Sequence, residues 1–437
     1  MPPIYYLWSV MKILTLIFPF IPFALLAQTS PDEIAKTPDK AGGVYYAYPV
    51  TQAISTPAPK GYEPFYISHY GRHGSRYLIS ESDYTRVAEV LHKAAEDDQL
   101  TPTGLNVMHR LDSVIPEALK RGGDLTPLGV RQHRDIAERM YRNYPQVFKG
   151  SPELSARSTT VIRCILSMDA FCERLKELNP EIKTTRESSD RYMNYLNYHS
   201  DESNRYTSGD WKIEYEDFVN RKVNPERQMK LLFKDDEYVR KNVRSKDLHW
   251  GLYWIAVDMQ NMESVASFYD IFTPEELYNL WECGNYHNYV CDANYAGNKG
   301  LVVGNASNLL ENIIDTADKA IDDGKNSITL RFGHDGNLMP LAAILGMENA
   351  DTSVSDPEEI AKVWSNFKIS PMAGNVQIIF YRPKDADRKK LADKKPILVK
   401  FLLNEKETAI DIPTDNFPYY SWDKVKEHYK ETKLNSH

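Results

Sequence analysis

Apolar positions divide the 437-residue chain into strand-like runs near both ends and helix-like stretches between them. Pro64-Phe65-Tyr66-Ile67-Ser68 is aromatic and β-branched and leads into a Gly-containing turn, the pattern of a buried strand ending at a functional loop. Ile328 to Phe332 repeats it and ends at Gly333, and Val376 to Tyr381 and Ile397 to Leu403 read as two further strands. Thr126-Pro127 opens a helix over Leu128 to Tyr141; Thr273-Pro274-Glu275-Glu276 is a capping box with proline at the first helical position, and Asp356-Pro357-Glu358-Glu359 repeats that logic. Roughly 171 to 299 carries helical periodicity, many Tyr and Trp, and little that reads as strand. Residues 28 to 64 hold six prolines and predict an extended arm with a short strand at Val44 to Tyr48.

This order predicts a mixed-sheet α/β domain flanked by helices, built from 28–170 plus 300–437, and interrupted by an all-helical cap domain at 171–299. The length supports that division, since a single core stops growing near about 250 to 300 residues. Composition is globular, with 28 Tyr and 7 Trp, and excludes a disordered chain. The formal charge of -8 argues against nucleic-acid binding through a broad basic face, so an anionic ligand must meet a local cationic pocket. Residues 13 to 27, apolar, preceded by Lys12 and followed by a polar stretch, predict a secretory signal at 1–27. Pro19, Pro22 and the run's shortness disfavour a membrane span, and Met11 is an alternative start. The expected location is periplasmic or extracellular. Cys283 and Cys291 flank a Gly- and Asn-containing stretch, the spacing of a short disulfide loop; Cys164 and Cys172 read as free thiols of one helix. With no CxxC, no zinc site is expected. The basic stretch Arg382 to Pro396 reads as a solvated loop.

The first strand delivers Arg72-His73-Gly74-Ser75-Arg76. Two guanidinium groups bracket one imidazole: arginine matches phosphate oxygens, Gly74 permits close backbone approach, and a neutral His73 can attack phosphorus. His334-Asp335 follows the strand that ends at Gly333, adding an imidazole for phosphate oxygens and a carboxylic acid for the leaving alkoxide. Arg157 and Arg163, in Ala156 to Arg163, are both able to complete the cationic cluster, and their chemistry alone does not choose between them.

These residues resemble the branch of the histidine phosphatase superfamily that holds histidine acid phosphatases, phytases and multiple inositol polyphosphate phosphatases. The resemblance runs through FYISHYGRHGSRY (65–77), LTPLGVRQH (125–133), SARSTTVIRCILS (155–167), His334-Asp335, Asn375 to Arg382 and Leu402 to Glu407. It implies His73 as the phosphorylated nucleophile; Arg72, Arg76, Arg163 and His334 as phosphate binders, with Arg157 structural; and Asp335 as proton donor. It implies two-step phosphomonoester hydrolysis without metal or other cofactor, on a small-molecule substrate, with inositol polyphosphates ahead of sugar phosphates and other small monoesters. Where the inositol polyphosphate group has His-Ala-Glu, this chain has His334-Asp335-Gly336, as in the acid phosphatases and phytases. Further phosphates of such a substrate would call on Arg186, Arg191, Lys212, Arg221 or Lys222. A silent phosphoryl-ligand-binding protein of the cell envelope and a phosphate-transferring mutase are the competing readings.

Overall fold

A computed structural model describes residues 29–49, 55–384 and 395–432. The expected signal at 1–27 lies outside the described residues, as does most of the basic loop after Arg382. The sheet is built from β1 (Tyr62–Arg72), β2 (Glu153–Ser158), β3 (Lys183–Ser188), β4 (Ser327–Gly333), β5 (Asn375–Pro383), β6 (Leu398–Leu403), β7 (Lys406–Glu407) and β8 (Tyr420–Ser421). Its order is β3-β2-β4-β1-β5-β6-β7, with β8 on β6. The four strands β3, β2, β4 and β1 run parallel to one another, and β5 and β6 pair antiparallel. The fold is the expected mixed α/β one.

β1 is central, between β4 and β5, and covered on both faces, which is why Phe65, Tyr66, Ile67 and Tyr70 are all buried instead of alternating. The four strands predicted from apolar runs after Pro64 all form. The other two main strands, β2 and β3, lack such an apolar run. β3, KTTRES, is a largely exposed edge strand lying inside the stretch expected to be helical. Its pairing with β2 moves the start of any purely helical insertion beyond Ser188. From there to Asn298 the described elements are all helical.

The predicted helix starts hold. Thr126 caps helix Pro127–Asn143 by accepting from Gly129 N, both halves of the Thr273/Glu276 capping box form, and Asp356 accepts from Glu358 N. The expected arm differs: Pro31–Lys36 is helical and Pro38–Tyr45 is a 3-10 segment, with no strand at Val44 to Tyr48. Gly43 turns the chain there at φ +57°, and a Cβ on it would meet Asn366 Nδ2 at 2.6 Å. The disulfide expectation also fails. The helix Pro274–Asp292 runs through both Cys283 and Cys291, separating them by about 12 Å along its axis, and all four cysteines are free.

Candidate active site

Three parallel strands release their chains side by side. The register sets Arg72 against Gly333 and Ser158 against Phe332. His73 N then donates to Gly333 O at 3.0 Å and Thr159 N to Phe332 O at 3.0 Å. The start of β5 closes the other flank: Arg72 N donates to Gly374 O (2.8 Å) and Ala373 N to His73 O (2.9 Å). Carboxyl ends of parallel strands are where open α/β sheets place ligands.

The first turn is locked from every side. A Cβ on Gly74 would stand 2.6 Å from Gly129 O and 2.7 Å from Gly129 Cα, and one on Gly129 would stand 2.4 Å from Ser75 O. Two glycines therefore let this turn seat directly on the first turn of helix Pro127–Asn143. Gly74 N donates to Ser167 Oγ (3.1 Å) and Ser75 N to Gln132 Oε1 (2.8 Å). Ser75 Oγ donates to Asn261 Oδ1 (2.7 Å) and accepts from Gln132 Nε2 (2.8 Å).

His73 is buried at the centre, with Nδ1 2.9 Å from Gly74 O. A carbonyl only accepts, so Nδ1 carries the proton and Nε2 the lone pair. Burial, then Arg72, Arg76 and Arg163, push its pKa well below the ordinary histidine value and keep it neutral. The His334 ring lies across from it, 5.8 Å between centroids and nearly perpendicular.

Arg72 is fully buried; Nη1 donates to Val44 O and to Ser370 O (2.9 Å), and Nη2 stands 3.1 Å from Asp335 Oδ2. Arg76 donates to Tyr77 O (2.9 Å) and to the Tyr45 hydroxyl (3.0 Å) and stacks on the Tyr45 ring. Arg163 reaches Gly123 O at 3.4 Å and acts electrostatically on His73, Arg72 and His334. The Nε atoms of all three arginines are buried without a hydrogen-bond partner among the described residues, leaving donors suited to an oxyanion.

His334 sits where β4 gives way to helix Asp335–Ile344. Its Nε2 is 3.2 Å from Thr159 Oγ1, its backbone N donates to the Tyr70 hydroxyl (3.3 Å), and burial lowers its pKa to about 4. Gly333 is required beneath it, because a Cβ would meet the Tyr70 hydroxyl oxygen at 2.2 Å. The Asp335 side chain is 28% exposed. Burial alone would raise its pKa; Arg72 and Arg76 outweigh that and hold it below the usual carboxylate value.

The structure thus brings together all six sequence-predicted residues: His73, Asp335, Arg72, Arg76, Arg163 and His334. It leaves Arg157 outside, paired with Glu187 at 3.1 Å and stacked on Tyr192. Of the cations considered for additional phosphates, Arg186 pairs with Asp169, Arg221 with Glu358, and Lys222 with Glu282 and Glu358, while Arg191 lies over the Tyr192 ring. Residues not singled out from the sequence also shape the site. Thr159, Ser167 and Gln132 lie inside the sequence blocks named above and were within reach; Val44 and Tyr45 come from a stretch that reads as a strand, and Asn261 from one with no legible signal.

A sequence profile of the histidine phosphatase superfamily (branch 2) matches residues 72–404. The chain belongs to that superfamily. It is a phosphoric monoester hydrolase by class. Multiple inositol polyphosphate phosphatase 1 of Gallus gallus is 22% identical over 418 residues, covering 88% of this chain and 85% of its own. Among solved structures, the multiple inositol polyphosphate phosphatase of Bifidobacterium longum with inositol hexasulfate shares the fold at a TM-score of 0.74 and 18% identity, covering 89% of this chain and 97% of its own. The phytase of D. castellii does so at 0.67 and 18% identity, covering 90% and 84%. Among the described residues no helix of this histidine phosphatase is long and apolar enough to cross a membrane.

Proposed function

We propose that the protein is an exported phosphomonoesterase that hydrolyses inositol polyphosphates through a phosphohistidine at His73. The observation that carries this reading is the convergence of a neutral, centrally buried imidazole with three guanidinium groups and a second imidazole where β1, β2 and β4 end. His73 Nε2 attacks phosphorus in line as the bond to the ester oxygen breaks. Arg72, Arg76, Arg163 and His334 hold the equatorial oxygens, each charge-assisted bond contributing about 1.5 to 3 kcal/mol. Such bonds speed the step to the extent that they strengthen toward the transition state. Asp335 gives its proton to the departing alkoxide, then takes one from the water that cleaves the N–P bond.

The names of the relatives and the FYISHYGRHGSRY and LLNEKE wording support inositol polyphosphates as substrates; the apolar run after Lys12 supports export. The helices beyond Ser188 are the proposed cap. The test is phosphate release by purified protein from phytate, glucose 1-phosphate and an aryl monoester. Phytate is expected to give the highest kcat/KM; a preference for glucose 1-phosphate would overturn the substrate assignment. Turnover of every ester is expected to vanish in His73→Ala.

A further inference from the structure

The helix Pro274–Asp292 ends at Asp292, a carboxylate that the hydrolytic chemistry above does not use. Gly336, next in sequence to Asp335, is where the two elements meet. A Cβ on Gly336 would lie 3.2 Å from Asp292 Oδ1, so the bare glycine leaves Asp292 directly against the turn that carries Asp335. A chain of amides fixes Asp292. Asn288 Nδ2 donates to Asp292 Oδ2 (3.1 Å), Asn366 Nδ2 to Asn288 Oδ1 (3.0 Å), and Trp281 Nε1 to Asn366 Oδ1 (3.1 Å).

Among the described residues no cation forms an ion pair with Asp292, and the last turn of its helix contains no basic residue. A carboxylate at a helix C-terminus also faces the negative end of the helix dipole. Its position therefore favours the neutral acid. Asp335 is in the opposite situation, 3.1 Å from Arg72 Nη2.

We propose that Asp292 is the proton reservoir for Asp335: the two carboxyls hold one proton between them, and the proton given to the leaving oxygen comes from this pair. The inference rests on Asp335 being the proton donor. As the ester P–O bond breaks and the N–P bond to His73 forms, the proton passes through Asp335 to the alkoxide, leaving both carboxylates ionised. Water attacking the phosphohistidine returns one proton to the pair, and the cycle closes without other reactants.

The charges around Asp292 agree. Burial, then Asp335, raise its pKa to about 7, against the opposing influence of Asn288 and Arg72. Asp335 is governed instead by Arg72 and Arg76, so the resting proton sits on Asp292. The other titratable groups facing the pair are the exposed His199 imidazole, 3.9 Å from the Gly336 Cβ position, His334 beside Asp335, and the neighbouring Cys291 thiol, which burial, then Asp292, push up to about 12. Activity that needs the shared proton is present below this pKa and lost as pH rises through it. His73, with its depressed pKa, stays neutral throughout.

The test compares kcat and KM against pH for the full chain and for Asp292→Asn, Asp292→Glu and Asp335→Asn, on glucose 1-phosphate and on an aryl phosphate with a good leaving group. Asp292→Asn is expected to lose about tenfold in kcat on glucose 1-phosphate near neutrality, with KM unchanged, and to recover in acid. The aryl ester should be nearly unaffected, and Asp292→Glu should restore the profile. A profile parallel to the unsubstituted protein's, whether equal or uniformly lowered, overturns the inference. If Asp335→Asn still selectively slows glucose 1-phosphate, the donor assignment survives that failure; if it slows neither ester, both assignments fall.

Discussion

The two turns of the candidate site leave adjacent strands yet are built differently. After β1, Arg72 to Arg76 are buried, the turn presses on a second glycine backbone, and its amides and hydroxyl are bonded to Ser167, Gln132 and Asn261. After β4, His334, Asp335 and Gly336 are each partly exposed, and among the described residues the Asp335 carboxyl has one cationic neighbour within ion-pair distance. The contrast fits the proposed chemistry, in which the first turn carries the nucleophile and phosphate cradle and the second the proton donor. A nucleophile and phosphate cradle gain from being held in one geometry before substrate arrives. A proton donor must face leaving groups of different shape and exchange protons with solvent.

The contrast is sharpest if Asp335→Asn costs about 10²- to 10⁴-fold in turnover of poor leaving groups while the melting temperature hardly moves, as steady-state kinetics and calorimetry on the same sample would show. A large loss of stability would remove the distinction between the turns. Next in size, Arg163→Ala is expected to lower kcat/KM by about 10²-fold, whereas Arg157→Ala, outside the cluster, should change it only a few-fold. Equal losses would mean that the cluster is drawn wrongly. On the locked side, Gly74→Ala should destabilise the fold by about 1 to 3 kcal/mol, because the methyl group meets backbone and not a movable side chain. Denaturant titration measures this, and an unchanged midpoint would show that the turn can yield.

What the sequence revealed divides along the same physical line. The four apolar strands, the capped helices and five of the site residues were legible, because burial on both faces, caps and bunched Arg and His leave local marks; Arg163 was separated from Arg157 only by the family resemblance. β2 and β3 were not: ELSARS and KTTRES become strands by pairing, and neither has the apolar run by which the others are recognised. The N-terminal stretch misled in the other direction. Val44 to Tyr48 looks like a strand, but Gly43 bends the chain so that Val44 O and the Tyr45 hydroxyl reach Arg72 and Arg76. Cys283 and Cys291 looked like the ends of a loop because Gly284 and Asn285 suggested a break, yet the capping box and the packing of this helix carry it straight through. Asp292 carried no signal at all, since its meaning depends on Gly336, more than forty residues away in sequence.

The most direct test of the central claim is rapid quenching of the enzyme during turnover of an aryl phosphate, followed by peptide mass spectrometry under conditions that preserve N-phosphorylation. The phosphoryl group is expected on the peptide containing His73, on the imidazole itself, and absent from Asp335→Asn only when a poor leaving group is used. A phosphoryl group trapped on His334 or on any other side chain, or none in a reaction that shows a burst of released phenol, would contradict the account.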